Sequence, residues 1–345
     1  PLSNLVFFTR QLATMYSAGL TLERSIHGLA TEERHTRFKK VLINVSENIR
    51  KGLSLSESMQ KHPGVFNNLY IALTKAGEVS GNLKEIMDQL AKYLENLDDV
   101  RRKVRSAMTY PVFMVIFLFL MMAGMFIYII PQFSDVYAQL GARLPAATLY
   151  MVYISEWVSS HFGGILLSIF GTIFCGWLIS KTRRGGYIID SIKLNSPVFG
   201  SLVEQSILNK FSKTAGILIG AGVPIIDSMK LLKKIVDNRV YEVAIEDATG
   251  YIRDGFNIST ALRRTERFPS ILLQLTATGE ETGELDSLLD NASEFYYKQV
   301  NALVDRMTTL IEPLLILMVG AVIAVMVIVT YLPVFYLGSA LQQGL

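Results

Sequence analysis

Gly77-Glu78-Val79-Ser80-Gly81-Asn82-Leu83 returns as Gly279-Glu280-Glu281-Thr282-Gly283-Glu284-Leu285, and Gly52-Leu53-Ser54-Leu55-Ser56-Glu57-Ser58-Met59 returns as Gly255-Phe256-Asn257-Ile258-Ser259-Thr260-Ala261-Leu262. The chain therefore carries one module twice, and the repeat defines the fold unit before any other feature is weighed. Upstream, Phe8, Arg10, Ala18-Gly19 and Ser25 stand opposite Phe211, Lys213, Ala221-Gly222 and Ser228, at an offset of 203 residues. Downstream, Tyr110-Pro111 and Pro131 stand opposite Glu312-Pro313 and Pro333, at an offset of 202. A one-residue indel separates the two parts. Each copy ends in an apolar run opened by one proline and closed by another.

Those runs, Pro111 to Ile130 and Pro313 to Leu332, hold no charged residue over 20 positions each. At about 1.5 Å rise per residue, such a helix spans a hydrocarbon core of roughly 30 Å. Gly163 to Ser180 is a third, shorter candidate. With 50% hydrophobic residues and a mean hydropathy of +0.35, three spans are expected rather than buried core helices of a soluble protein.

Charge sets the topology. Arg101, Arg102, Lys103 and Arg105 precede the first run, and Lys181, Arg183 and Arg184 follow the middle one. Between Pro131 and Phe162 only Arg143 is basic, and no Lys or Arg follows Pro333, so all but one of the 33 basic residues fall on one side. By the positive-inside rule that side is the cytoplasm, with the N-terminus inside and the C-terminus outside. Tyr128, Tyr153, Trp157, Tyr331 and Tyr336 fall near the outer boundaries, where amphipathic rings usually sit. After the first copy the chain is outside, and residues 163–180 return it so that the second copy can build inside. The repeats are thus parallel, not inverted.

The expected architecture is an all-α integral membrane protein with two homologous cytoplasmic helical-bundle modules and three transmembrane helices. Its parts are a first cytoplasmic module (1–108), a first span (109–130), a periplasmic loop (131–162), a second span (163–180), a second cytoplasmic module (181–311), a third span (312–332) and a periplasmic tail (333–345). A net charge of +3 is too small, and too clearly tied to topology, to suggest nucleic acid. Cys175 is the single cysteine, so no disulfide framework is expected. No signal peptide is visible, and the start at Pro1 is compatible with a longer natural N-terminus.

Within the modules, Leu5, Phe8, Leu12, Met15 and Tyr16, and again Leu208, Phe211, Ala215 and Leu218, repeat at helical spacing. Gly19 and Gly222 read as helix C-caps. Ser54 with Glu57 reads as a capping box, with Ser259 or Asn257 as the cap of its counterpart. No glycine or proline interrupts Asn82 to Met108 or Glu284 to Ile311, so a long helix is expected in each copy. Pro111 and Pro313 then fit two readings: a hinge that couples module to span, or the first turn of a fresh helix.

Chemistry-bearing motifs are missing. No phosphate-binding Gly-Lys-Ser/Thr loop appears. His27, His35, His62 and His161 show no metal spacing. Neither catalysis nor a cofactor is expected. Glu78 and Glu280-Glu281 read as carboxylates on exposed turns between glycines, serving either a partner surface, a hard cation, or only the dipole of the following helix.

Phe8-Thr9-Arg10-Gln11-Leu12-Ala13-Thr14-Met15, the paired Gly-Glu-x-Ser/Thr-Gly-x-Leu turns, Tyr110-Pro111, Leu310-Ile311-Glu312-Pro313 and Leu332-Pro333-Val334-Phe335 together resemble the type II secretion system F family. The resemblance runs through nearly the whole chain, and the tail from Tyr331 to Ser339 is similar to the pilus branch. It implies a non-enzymatic platform of the bacterial inner membrane that oligomerises and binds a hexameric cytoplasmic assembly ATPase. Pilin or pseudopilin subunits, other inner-membrane assembly proteins and membrane lipid are the remaining implied partners. The full-length family usually carries a further N-terminal segment. Under this resemblance Glu78, Gly81, Glu280 and Gly283 are expected to contact the ATPase or a second copy, and the spans, with their small pairs Ala123-Gly124 and Gly320-Ala321, to contact pilin. The alternatives are the same platform in a type II secretion machine and, from another class, a transporter with parallel repeats. The latter needs polar groups at mid-membrane, where the middle run offers Ser168, Thr172 and Cys175.

Overall fold

The computed structural model describes residues 2–139, 146–197 and 199–343. Among them every regular element is a helix. The first copy begins with α1 (Leu2–Ser17), α2 (Leu22–Glu32), α3 (Thr36–Arg50), α4 (Leu55–Gln60) and α5 (Asn68–Ser80) and passes into α6 (Leu83–Gly124). A π-helical turn, Met125–Ile129, leads to α7 (Ile130–Gln139), followed by α8 (Ala146–Lys181) and α9 (Arg183–Asn195). The second copy repeats the series as α10 (Gly200–Gly220), α11 (Ile225–Ile235), α12 (Arg239–Arg253), α13 (Ile258–Arg264), α14 (Ser270–Thr282) and α15 (Leu285–Gln343).

The duplication is visible in the backbone. The six glycines with positive φ form three pairs, Gly19 with Gly222, Gly52 with Gly255 and Gly81 with Gly283. Their spacing is that of the sequence repeat, so the same left-handed C-caps end the same helices. The core is duplicated too. Phe8 meets Phe38 edge-on at 5.7 Å between ring centroids and lies 6.3 Å from Phe66. At the matching places Phe268 lies 5.0 Å from Phe211 and meets Tyr241 edge-on at 5.5 Å. Such pairs add about 0.5–1.5 kcal/mol each beyond the area they bury.

The chain divides into two compact units. The first combines Pro1–Arg102 with Gly186–Leu303, so both modules belong to one unit rather than to separate bundles. One hydrophobic core runs through it, from Phe8 and Leu12 of the first copy to Leu218, Leu289 and Tyr296 of the second. Tyr93 is buried there with its hydroxyl beside Thr214 and Asp237 of the second copy, and burial pushes its pKa up to about 12.

The second unit is Lys103–Gly185 with Val304–Leu345. Helices α6 and α15 each supply residues to both units without a break. Pro111 lies inside α6 and Pro313 inside α15, so the fresh-helix reading of the prolines does not hold. Pro131 and Pro333, which close the apolar runs in the sequence, lie within α7 and α15. Much of 131–162, expected as a loop, is helical in α7 and α8.

The described residues contain two helical stretches long and apolar enough to cross a membrane, Leu83–Gln132 and Leu285–Ile328. Their apolar residues lack protein cover: Leu317 is 75% exposed and Phe119 68%. Water would penalise such a surface heavily, whereas lipid would not. Inside this unit Met125 and Ile130 are buried, with Phe126, Val152 and Met326 against them, which brings the π-helical turn, α7, α8 and α15 into contact.

The turns from α5 to α6 and from α14 to α15 hold the tightest backbone contacts. A Cβ on Gly77 would come within 3.0 Å of the Leu83 Cα, and one on Gly279 within 2.7 Å of the Leu285 Cα. Gly279→Ala is expected to cost about 1–3 kcal/mol through overpacking, and Gly77→Ala somewhat less. Thermal unfolding of the detergent-solubilised variants checks both the loss and its order.

Candidate functional site

The paired Gly-Glu-x-Ser/Thr-Gly segments close α5 and α14. Gly81, at φ 72°, and Gly283, at φ 76°, take the left-handed conformation that lets the next helix fold back at once. Gly77 and Gly279, one turn earlier, admit that helix to backbone contact. Glu78 and Glu280 therefore sit in the last turns of α5 and α14, half-buried, and not on exposed turns.

Their carboxylates are occupied. Glu78 accepts from the backbone N–H of Leu55 at 2.5 Å, from that of Ser56 at 3.2 Å and from the Ser56 hydroxyl at 2.5 Å. Glu280 accepts from the N–H groups of Ile258 at 2.5 Å and Ser259 at 2.9 Å. Each glutamate thus caps a short helix that lies earlier in the chain, α4 or α13, and adds negative charge at the positive end of its dipole. In α4 the capping box is complete: the Glu57 N–H donates to the Ser54 hydroxyl, and the Ser54 N–H donates to the Glu57 carboxylate, both at 3.1 Å. In α13 Asn257 holds the N-cap position without a side-chain bond, so Glu280 carries more of the capping there.

Outward from these braces the two copies differ. The first presents Val79, 82% exposed, with Ser80, Gly81 and Asn82, whereas the second presents Glu281, Thr282, Gly283 and Glu284, all exposed. The backbone is shared and the surface chemistry is not.

A second duplicated device ties the first helix of each copy to its long helix. Arg10 on α1 reaches Asp88 at 2.7 Å and Glu95 at 2.5 Å on α6. Lys213 on α10 pairs with Asp290 on α15. The carboxylates were not singled out from sequence, although Asp88 and Asp290 keep the offset of 202 and could have been found by it. Hydrogen bonds from Lys92 and then Arg10 hold Asp88 below the usual carboxylate range, and Arg10 does the same for Glu95.

The remaining expected positions are scattered along the long helices. Arg101, Arg102, Lys103 and Arg105 are exposed on α6, where Arg102 pairs with Asp98 at 2.7 Å. Lys181 sits over the Trp177 ring at 3.6 Å from its centroid. Arg184 is exposed on α9, and the Arg183 side chain lies outside the described residues, as does Arg143. No group of three or more His, Cys, Asp or Glu able to hold a metal ion occurs among the described residues. The arrangement suits holding and transmitting, with braces at helix ends and pairs along helix sides.

Duplicated helical modules feeding long apolar helices describe a membrane scaffold class. The family described as type II secretion system (T2SS), protein F, matches residues 8–131 and 211–333, the two copies in turn. The chain belongs to that family. It is 34% identical over 339 residues to the type IV pilus assembly protein PilC of Myxococcus xanthus, covering 98% of this chain and 81% of that protein. With the protein of the same name from Thermus thermophilus it shares 35% over 337 residues, 97% of this chain and 82% of the other. With the type II secretion system protein F of Aeromonas hydrophila it shares 29% over 340 residues, 98% and 87% respectively.

A carboxylate whose pKa is lowered on folding adds stability above its unfolded value and loses it as pH falls through the folded one. The Arg10 pairs should therefore stabilise the fold at neutral pH and weaken below about pH 4. Solvent screens these half-exposed groups, so the effect is modest. Melting temperature measured from pH 7 downward should drop in acid, and Arg10→Gln should start lower and show a shallower drop.

Proposed function

We propose that this chain is an inner-membrane platform of type IV pilus assembly, coupling a cytoplasmic assembly ATPase to insertion of pilin subunits into the filament. The observation that carries this reading is likeness over almost the whole chain to relatives named for pilus assembly, at 30–35% identity. The compared relatives named for type II secretion stand at 28–29%, which makes that machine the second reading.

The geometry supports a mechanical role. A change of orientation in the module carries along α6 and α15 into their apolar halves, because neither helix is interrupted. Pro111 and Pro313 remove one backbone hydrogen bond each and so localise bending at the start of the charge-free runs. The partner surface in this reading is the exposed rim at Gly81 and Gly283, with Glu78 and Glu280 acting as positioning residues that hold α4 and α13 beneath it. The motor is a separate ATPase, and the platform itself is not an enzyme. Its partners besides the ATPase and pilins are a second copy, other inner-membrane assembly proteins and lipid.

The topology that goes with this function has three spans, 109–130, 163–180 and 312–332. The cytoplasmic parts are 1–108 and 181–311, and the periplasmic ones are 131–162 and 333–345. The basic belts at Arg101, Arg102, Lys103 and Arg105 and at Lys181, Arg183 and Arg184 hold the cytoplasmic side. In a Cys175→Ser background, cysteines placed at Ser106 and at Tyr150 should react with an impermeant thiol reagent from opposite sides. Labelling of both from the outside would sink the three-span arrangement.

Deletion of the gene is expected to abolish surface pili and twitching while type II secretion persists, and the wild-type gene should restore both. Glu280→Gln and Gly283→Ala should restore them partially at equal membrane abundance. Loss of secretion alone would move the chain to the secretion machine, and normal pili with normal secretion would remove both readings.

A further inference from the structure

Only Thr182 separates the end of α8 at Lys181 from the start of α9 at Arg183. The last turn of α8 carries the Trp177 ring with the Lys181 ammonium over it, a pairing that suits the headgroup level at the end of the charge-free stretch 163–180. The chain then turns back sharply at that level. The Thr182 hydroxyl donates to the Ile179 carbonyl at 2.8 Å and accepts from the Gly185 N–H at 3.1 Å. A Cβ on Gly185 would come within 2.3 Å of the Ile179 carbonyl oxygen, so glycine is what lets α9 begin against the last turn of α8.

From there α9 is apolar on two sides. One side is taken up by the module: Leu194 packs against the hydrophobic core, and the Asp190 carboxylate accepts from the Arg239 N–H, at the start of α12, at 3.0 Å. The other side is bare. Ile188 is 57% exposed and Ile192, one turn on, 65%, with Tyr187 beside them. Phe199, also exposed, is held at the far end of α9 by a second tight turn, where a Cβ on Gly200 would meet the Leu194 carbonyl. The charge around this face has one sign. Asp190 is the only acid from Arg183 to Asn195 and is engaged by the Arg239 N–H and by the Lys193 ammonium at 2.8 Å, while Arg184 stands exposed one turn before Ile188.

We infer that α9 is an interfacial helix, lying on the cytoplasmic leaflet with Tyr187, Ile188 and Ile192 sunk among the upper acyl carbons and Arg184 at the level of the phosphates. Continuity selects lipid as the occupant. The Gly185 turn starts the helix at the end of a span, so the bilayer surface is already in reach of the bare face, and a helix with apolar residues on one side and basic residues at its edge is the kind that lies in that surface. The absence of a free carboxylate on the face fits a leaflet of net negative charge. Held this way, the chain enters its second copy from the membrane surface, by a tether separate from α15.

The inference rests on α8 crossing the membrane and not on the pilus role. In a Cys175→Ser background, Ile188→Cys, Ile192→Cys, Phe170→Cys and Thr260→Cys are each labelled with an environment-sensitive fluorophore. The full chain is reconstituted in vesicles of phosphatidylethanolamine and phosphatidylglycerol, doped with lipid spin-labelled either near the headgroup or near the chain end. Labels at Ile188 and Ile192 should be quenched best by the headgroup-proximal spin, at a depth of about 5–10 Å. The Phe170 label, on α8, should be quenched best by the chain-end spin, and the Thr260 label, exposed on α13, by neither. Labels at Ile188 and Ile192 that stay open to water overturn the proposal. Shielding from water without quenching by lipid assigns the face to a protein, a second copy included, and overturns it too, as does quenching at Thr260 equal to that at Ile188. A Phe170 label that no lipid quenches removes the span itself, a failure distinct from that of α9.

Discussion

The close approach of backbone to backbone at Gly77 on Leu83 and at Gly279 on Leu285 is the constraint on which each module depends. It seats the long helix of each copy directly against the helix before it, and the left-handed glycine four residues later makes the reversal possible. With the turn fixed, Glu78 and Glu280 are aimed at the short helices α4 and α13, whose lengths of 6 and 7 residues give them little stability of their own. The carboxylates satisfy N–H groups that would otherwise have no partner. One compact motif therefore sets the course of a membrane-bound helix and secures the helix packed beside it.

Duplication has preserved this skeleton while letting its chemistry diverge. The ion pair from the first helix to the long helix persists as Arg10 with Asp88 and as Lys213 with Asp290, a change of cation that keeps the charge. The capping glutamate persists unchanged, though only the first copy retains the complete capping box. Rim residues differ in charge between the copies, Val79 and Asn82 in one against Glu281 and Glu284 in the other, as solvent-exposed positions that carry little of the folding free energy can. The same divergence at the foot of the apolar runs sets Lys103 against Asp305 and Tyr110 against Glu312 at equivalent repeat positions along one cleft.

Much of this was legible in the residues, for identifiable reasons. A left-handed helix end demands glycine, so Gly19, Gly81, Gly222 and Gly283 announced their turns. Ser54 and Glu57 are close in sequence, so their reciprocal bonds could be read without knowing the fold. Glu78 could not be read that way. Its partners lie 22 and 23 residues upstream, on a helix whose position is set by core packing, and a carboxylate between two glycines looks the same whether it faces solvent or a helix end. Asp88 escaped for a similar reason: a charged residue on a long amphipathic helix carries no local mark of the arginine it meets.

The sequence by itself determined the duplication, the apolar runs and the glycine-closed helices, because each rests on periodicity, composition or a backbone conformation that few residues adopt. Tertiary structure alone decided three matters. Both modules share one core, since complementary apolar faces do not name their partners. Pro111 and Pro313 stay inside unbroken helices, since the loss of one hydrogen bond is small beside the continuity of some 40 to 60 helical residues. Equivalent faces of the two copies meet at a single cleft, since repeat positions 202 residues apart become neighbours only when α6 and α15 border the same cavity.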